Sequence, residues 1–153
     1  MREIKFKCLT ECSEEHVKLG FPKLRWAYYG LTGKHLFPEY KQITPDLQYT
    51  GLKDKNGKEI YEGDICRVKY YNHSMPNTEI IQEVVFENGC FCLKSKIASN
   101  LNLHLEDTRQ FVPIYYSLAP NKIEVIGNIY ENPELLNPTP LKTLSYGKKQ
   151  QHN

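Results

Sequence analysis

The chain has 153 residues, with 20 basic and 18 acidic side chains and a formal net charge of +2. That length suits one domain, which buries roughly two thirds of its unfolded surface and needs no disulfide or metal to be stable. The near balance of charge gives no general pull towards a polyanion.

Hydrophobic residues make up 40% and charged residues 25%, as in an ordinary globular chain, but there are 11 Tyr. Tyr suits pleated, half-buried surfaces and interfaces, so the count leans towards β structure and contact surfaces. The five Cys (Cys8, Cys12, Cys66, Cys90, Cys92) form an odd set, and the charged start MREIKFKCLT lacks the apolar core of a secretory signal. A reducing cytosol is the expected compartment, with the thiols acting as small hydrophobes. No apolar run approaches the ~20 residues that span a bilayer, so no membrane partner is expected.

In chain order, Ile4 and Phe6 alternate with Glu3, Lys5 and Lys7, which predicts a first strand buried on the Ile4/Phe6 face. Ser13 before Glu14 and Glu15 marks a helix start, and Gly20 and Pro22 end it after about two turns. RWAYYGLTGKHLF is expected to fold as a hairpin around Gly30 to Gly33. Gly51 permits a bend, Asn56-Gly57 a tight turn through positive φ, and Gly63-Asp64 a second bend. Lys53, Asp54, Lys55 and Lys58 are expected in water on the turn. ICRVKYY, EIIQEVVF, CFCLKSK, NLNLHLE, QFVPIYY and KIEVIGNIY then read as a meander, with NHSMPNT as a polar loop and Asn88-Gly89 as a turn. Asn132-Pro133 opens a short helical turn, and a loose tail is expected from Asn137. The fold expectation is mainly β: a small SH3-like barrel, because closure hides strand edges, with a short N-terminal α/β extension. The expected organisation is an extension over 1–47, a β-rich core over 48–136 and a tail over 137–153.

Three segments carry a resemblance: MREIKF at Met1–Phe6, QYTGLKDKNGKEIYEGDI at Gln48–Ile65 and IEVIGNIYENPELL at Ile123–Leu136. In these the chain resembles the YopX family of phage and prophage proteins. The resemblance implies a mostly β, self-associating protein of phage-infected bacteria, and brings no reaction and no catalytic set. It also marks a departure. Family members follow the first strand with Arg-Ala-Trp-Asp, where this chain has Lys7, Cys8, Leu9 and Thr10, and Trp26 is the candidate to fill the missing aromatic place.

No constellation for chemistry stands out. Cys90 and Cys92 lie too close along a strand for the usual zinc spacing, and Cys8 and Cys12 fit it only loosely, so neither metal nor cofactor is expected. His16, His35, His73, His104 and His152 are scattered, and His73 beside Ser74 is only a weak hint of nucleophilic chemistry. Glu14-Glu15 reads as helix-start electrostatics, Glu106-Asp107 as a turn, and GLTGK at Gly30–Lys34 lacks phosphate-loop spacing. Asp64 in EGDI reads as a turn residue satisfying backbone N–H groups. Arg67, Lys69 and Tyr71 share a strand face, and Lys94 and Lys96 share one on a strand expected next to it. Together they form the candidate nucleic-acid surface, weighed against a solvated face of mixed charge on account of Glu83 and Glu87. The expected function is a non-enzymatic phage accessory protein that forms homo-oligomers and contacts a host or phage protein. The alternative is a nucleic-acid-binding small barrel.

Overall fold

The computed structural model describes residues 3–31, 33, 36–72, 75–95, 111–114 and 122–137. Within them the chain is mostly β, in two antiparallel sheets. The N-terminal part runs β1 (Lys5–Cys12), α1 (Glu14–Lys18), β2 (Leu24–Gly30), β3 (Tyr40–Gln42), β4 (Leu47–Lys53) and β5 (Glu59–Tyr61). It is followed by β6 (Asp64–Asn72), β7 (Met75–Glu87), β8 (Cys90–Lys94), β9 (Phe111–Pro113) and β10 (Ile123–Asn128), and then a 3-10 helix over Pro133–Leu136. The expected strand NLNLHLE, the tail after Asn137 and the pair Glu106-Asp107 lie outside the described residues.

The first sheet is ordered β2-β1-β4-β5, with β3 also paired to β1. β1 is its centre. Thr10 stands opposite Arg25 of β2 on one side and Gln42 of β3 on the other. The turn and second arm of the expected hairpin around Gly30–Gly33 lie partly outside the described residues; β2 and β3 flank β1 and do not pair with each other. The strand between them also has both faces covered, which changes the expected burial. Ile4 is exposed, whereas Lys7, Cys8, Leu9 and Thr10 are all buried. Glu14 and Glu15 do occupy the first turn of α1, but the helix is five residues long and Gly20 leaves it at φ +96.

The second sheet is ordered β10-β6-β7-β8-β9 and curls as a half-barrel. Its inner face carries Cys66, Val68, Val84, Phe91, Leu93, Ile123 and Val125, joined by Ile114 and by Ile60 of β5. β7 begins at Met75, so part of the expected polar loop NHSMPNT is strand. Asn88 and Gly89 both take positive φ (52 and 78) in the tight β7–β8 turn, as that dipeptide predicts. Gly127 lies where β10 shifts register against β6. A Cβ on it would stand 2.8 Å from both Asn132 Oδ1 and Leu135 Cδ1, so a larger residue would have to displace those side chains for the 3-10 segment to close on the strand.

The β4–β5 turn ties the two sheets together. Of Asn56-Gly57 only Gly57 has positive φ (81), and Asp54 organises the rest. Its Oδ1 accepts the N–H of Asn56 (2.8 Å) and of Lys58 (2.9 Å), and its Oδ2 accepts the N–H of Val125 on β10 (3.0 Å). Asp54 is thus buried, against the expectation that every charge on this turn faces water. The turn charge nearest the next element was assigned to solvent because its partner, Val125, is 71 residues away.

Burial alone would raise the Asp54 carboxyl, but its three backbone donors outweigh that and hold it below the usual range. A carboxylate depressed in the folded state contributes stability that is complete above its unfolded pKa of ~3.9 and disappears as pH falls through the folded value. Asp54→Ala leaves the buried Val125 N–H unpaired, at ~1–3 kcal/mol, and removes the acceptor of the part-buried Asn56 and Lys58 N–H groups, which add less. The expected outcome in urea titrations at neutral pH is a loss of about 2–5 kcal/mol, shrinking at strongly acid pH. A loss below 1 kcal/mol would show that the turn is held by something else.

Candidate functional site

The most heavily connected point in the structure lies between the two sheets. Lys7 on β1 and Asp64 at the start of β6 form a buried ion pair, Lys7 Nζ to Asp64 Oδ1 at 2.5 Å, with the residues only 6% and 1% exposed. The same carboxylate accepts the Tyr61 N–H on Oδ2 (2.8 Å) and the Asn128 side-chain amide on Oδ1 (3.0 Å). Asn128 Oδ1 in turn accepts the Tyr130 N–H. The ammonium lies over two rings, Trp26 at 4.6 Å and Tyr61 at 4.8 Å, whose negative faces favour the cation. Trp26, on β2, is thus packed on the Lys7 ammonium of β1.

Around this pair the rings continue. Tyr49 and Tyr61 lie 5.3 Å apart, and Tyr28 meets Tyr61 edge-on at 5.9 Å. Tyr61 Oη donates to Glu59 Oε2, whose Oε1 takes the Lys5 ammonium at 2.7 Å. The Lys5 and Tyr61 bonds hold the Glu59 carboxyl below its ordinary value, and burial, then Glu59, push the Tyr61 phenol up. Asp64 was read as a turn residue, and it does satisfy the Tyr61 N–H. Its partnership with Lys7, 57 residues away, was not visible. These groups are all engaged with one another. The arrangement is a clamp between the two sheets.

The candidate nucleic-acid residues fall differently. Arg67 and Lys69 do share the outer face of β6. β7 lies between β6 and β8, however, so Lys94 is not on the adjacent strand as expected. β7 brings carboxylates onto the same face. Arg67 pairs with Glu124 (3.0 Å) and Glu79 (3.7 Å), and Lys69 with Glu79 (3.1 Å). Lys94 stands opposite Glu83 in register. The side chain of Tyr71 and the whole of Lys96 lie outside what is described. The described part of this face is a charge-paired sheet surface. Lys55 adds to it, bonded to Glu124 at 2.9 Å.

The remaining candidates separate. Cys8 and Cys12 are buried on β1, Cys66 is in the core, and Cys90 and Cys92 face each other at 3.5 Å. His16 bonds Ser13 Oγ at 2.7 Å. His35, His73, Ser74, His104, His152 and the end of GLTGK lie outside the described residues. Among the described residues no three His, Cys, Asp or Glu come together as metal ligands. A cleft of about 230 Å³ is lined by Thr10, Arg25, Trp26, Phe37 and Tyr40 among others. Its Thr10 and Tyr40 hydroxyls donate to the carbonyls of Arg25 and Pro22, and Phe37 stacks on Arg25.

One feature was not anticipated from the sequence. Among the described residues β2 pairs only with β1, so its other edge is open, and Leu24 and Tyr28 (63% exposed) stand out from it. Leu19, Phe21, Leu31 and Phe37 are exposed on the neighbouring segments. The first arm of the expected RWAYYGLTGKHLF hairpin is this strand, rich in β-forming residues; what the sequence did not show is which strand it pairs with.

The structure thus defines a mostly β protein whose two sheets are joined by buried carboxylates and whose prominent surface feature is an apolar strand edge. The chain belongs to the YopX family: the model described as "YopX protein" matches residues 5–137. No curated protein matches. Among solved structures the chain is similar to protein EF1440 from Enterococcus faecalis, at 23% identity and a TM-score of 0.40, covering 86% of this chain and 97% of that one.

The paired charges give an expected outcome. Arg67→Gln and Lys69→Gln should leave retention on a single-stranded oligonucleotide column at low salt unchanged. A clear loss of retention, with a flatter salt dependence in the variants, would restore the nucleic-acid surface.

Proposed function

We propose that the protein is a non-enzymatic phage or prophage accessory protein of the bacterial cytoplasm that works by self-association and protein contact, on an SH3-like barrel. Three things support this reading. The five-stranded curl wraps one apolar core. The chemistry-bearing side chains of the clamp are engaged with one another. No described helix is long and apolar enough to cross a membrane.

The observation that carries it is that the second edge of β2 has no partner strand among the described residues. An exposed strand edge is a row of unpaired N–H and C=O groups, and proteins that avoid pairing protect such edges with charge, proline or a bulge. LRWAYYG has one charge, Arg25, no proline, and an unbroken register against β1. Opposed residues in a ladder share a face, so a two-fold axis through Ala27 pairs all seven residues of β2 with those of a second copy. Trp26 then meets Tyr28 and Arg25 meets Tyr29, each twice, with no like charges opposed.

Sedimentation velocity over a concentration series tests this. The wild-type chain should populate a dimer or higher oligomer, and Leu24→Lys, at an exposed side chain outside the clamp, should shift it towards monomer with its melting temperature kept. A wild-type chain that stays monomeric at its highest soluble concentration overturns the reading.

A further inference from the structure

We propose that Cys90 and Cys92 form a preorganised two-thiol chelate that takes a trivalent, monosubstituted arsenical or a like thiophilic group needing two sulfur donors. The argument starts from the strand. β8 is held on both sides, Cys92 standing opposite Val85 of β7 and Pro113 of β9. Residues i and i+2 of a strand face the same way. Here the two side chains also turn towards each other, with the sulfurs 3.5 Å apart. Cys90 is half-buried and accessible, while Cys92 is buried behind it.

The spacing selects the ligand. A thiolate-bound atom lies ~2.3 Å from sulfur, so sulfurs 3.5 Å apart subtend about 100° at it. That suits the pyramidal geometry of As(III). A direct disulfide would need the sulfurs ~2.05 Å apart and would draw the strand together. A structural zinc ion needs four protein ligands, and among the described residues no third His, Cys, Asp or Glu stands with the pair. A monosubstituted arsenical brings its own third group and asks the protein for two sulfurs only.

The chemistry balances without any oxidant. In the hydrated arsenical R–As(OH)2, the Cys90 sulfur forms an As–S bond as one As–OH bond breaks, and the thiol proton leaves with that hydroxyl as water. Cys92 repeats the step from inside. Two waters are released, two As–S bonds replace two As–O bonds, and arsenic remains trivalent. Burial, then the neighbouring Cys90, pushes the Cys92 thiol up to about 11. This favours Cys90 as the first to react and Cys92 as the one that closes the ring.

The test uses the reduced full chain and phenylarsine oxide. One phenylarsenic group should bind per chain by native mass spectrometry, blocking two of the five thiols, and 2,3-dimercaptopropanol should remove it. Cys90→Ser, a change at a half-buried side chain, should abolish uptake while the circular dichroism spectrum is kept. A synthetic Glu87–Ser95 peptide, which lacks the ladder, should bind at least roughly tenfold more weakly. Absence of uptake, unchanged uptake by Cys90→Ser, or equal affinity of the peptide would each overturn the proposal. So would one equivalent of Zn2+ bound by the wild type and lost in Cys90→Ser.

Discussion

The contact between Lys7 and Asp64 sets the arrangement of everything around it. Two opposite charges are removed from water at the seam of the two sheets, and each is satisfied from several directions. Desolvation of such a pair is costly, so its net contribution to stability is small compared with the cost of breaking it. Its stronger effect is on geometry. A buried ammonium has one acceptable place to go, and that place fixes how β1 lies against the start of β6. We take this pair to specify the register between the sheets. A hydrophobic pair of the same volume could fill the space but would tolerate sliding.

The three segments that carry the family resemblance meet at this seam. Lys7 follows the first directly. Asp54 and Asp64 lie in the second, and Val125 and Asn128, which they hold, lie in the third. Backbone bonds reinforce the meeting: Lys55 N–H to Ile123 O, Gly63 N–H to Val84 O, and Ile129 N–H to Gly63 O. The first sheet, with β1 and β4 paired at Phe6–Gln48 and Lys7–Leu47, runs across the 47/48 position. The signature is therefore the specification of a joint. The contact surface proposed for function is the outer edge of β2, whose Trp26 and Tyr28 also pack against the clamp.

Local signals in the sequence were reliable where the cause was local. Gly63, Asn88-Gly89 and Asn132-Pro133 each reported a backbone requirement, and the turns stand where they were expected. The strands expected at ICRVKYY and CFCLKSK form, and their Val68, Phe91 and Leu93 lie in the core. Charges were the weak point. Lys7 alternates with Phe6 and reads as solvent-facing, and Asp54 sits among lysines on a turn. Both are buried because of partners on distant strands. The basic face was incomplete for a similar reason: residues on β6 and β8 share a face, but the intervening β7 puts Glu79 and Glu83 between them. Strand order, which no local pattern states, decided that surface's electrostatics. The open edge of β2 was likewise hidden, since pairing β2 with β1 and not with β3 is a tertiary choice.

A double-mutant cycle on Lys7 and Asp64 tests the central claim most directly. Lys7→Met and Asp64→Asn should each cost about 3–5 kcal/mol in urea unfolding, because each leaves a buried group without its partner. Made together they should cost clearly less than the sum, with a coupling energy of about 2 kcal/mol or more. Additive losses would show that the two side chains act separately, and that the joint between the sheets is fixed by something other than their meeting.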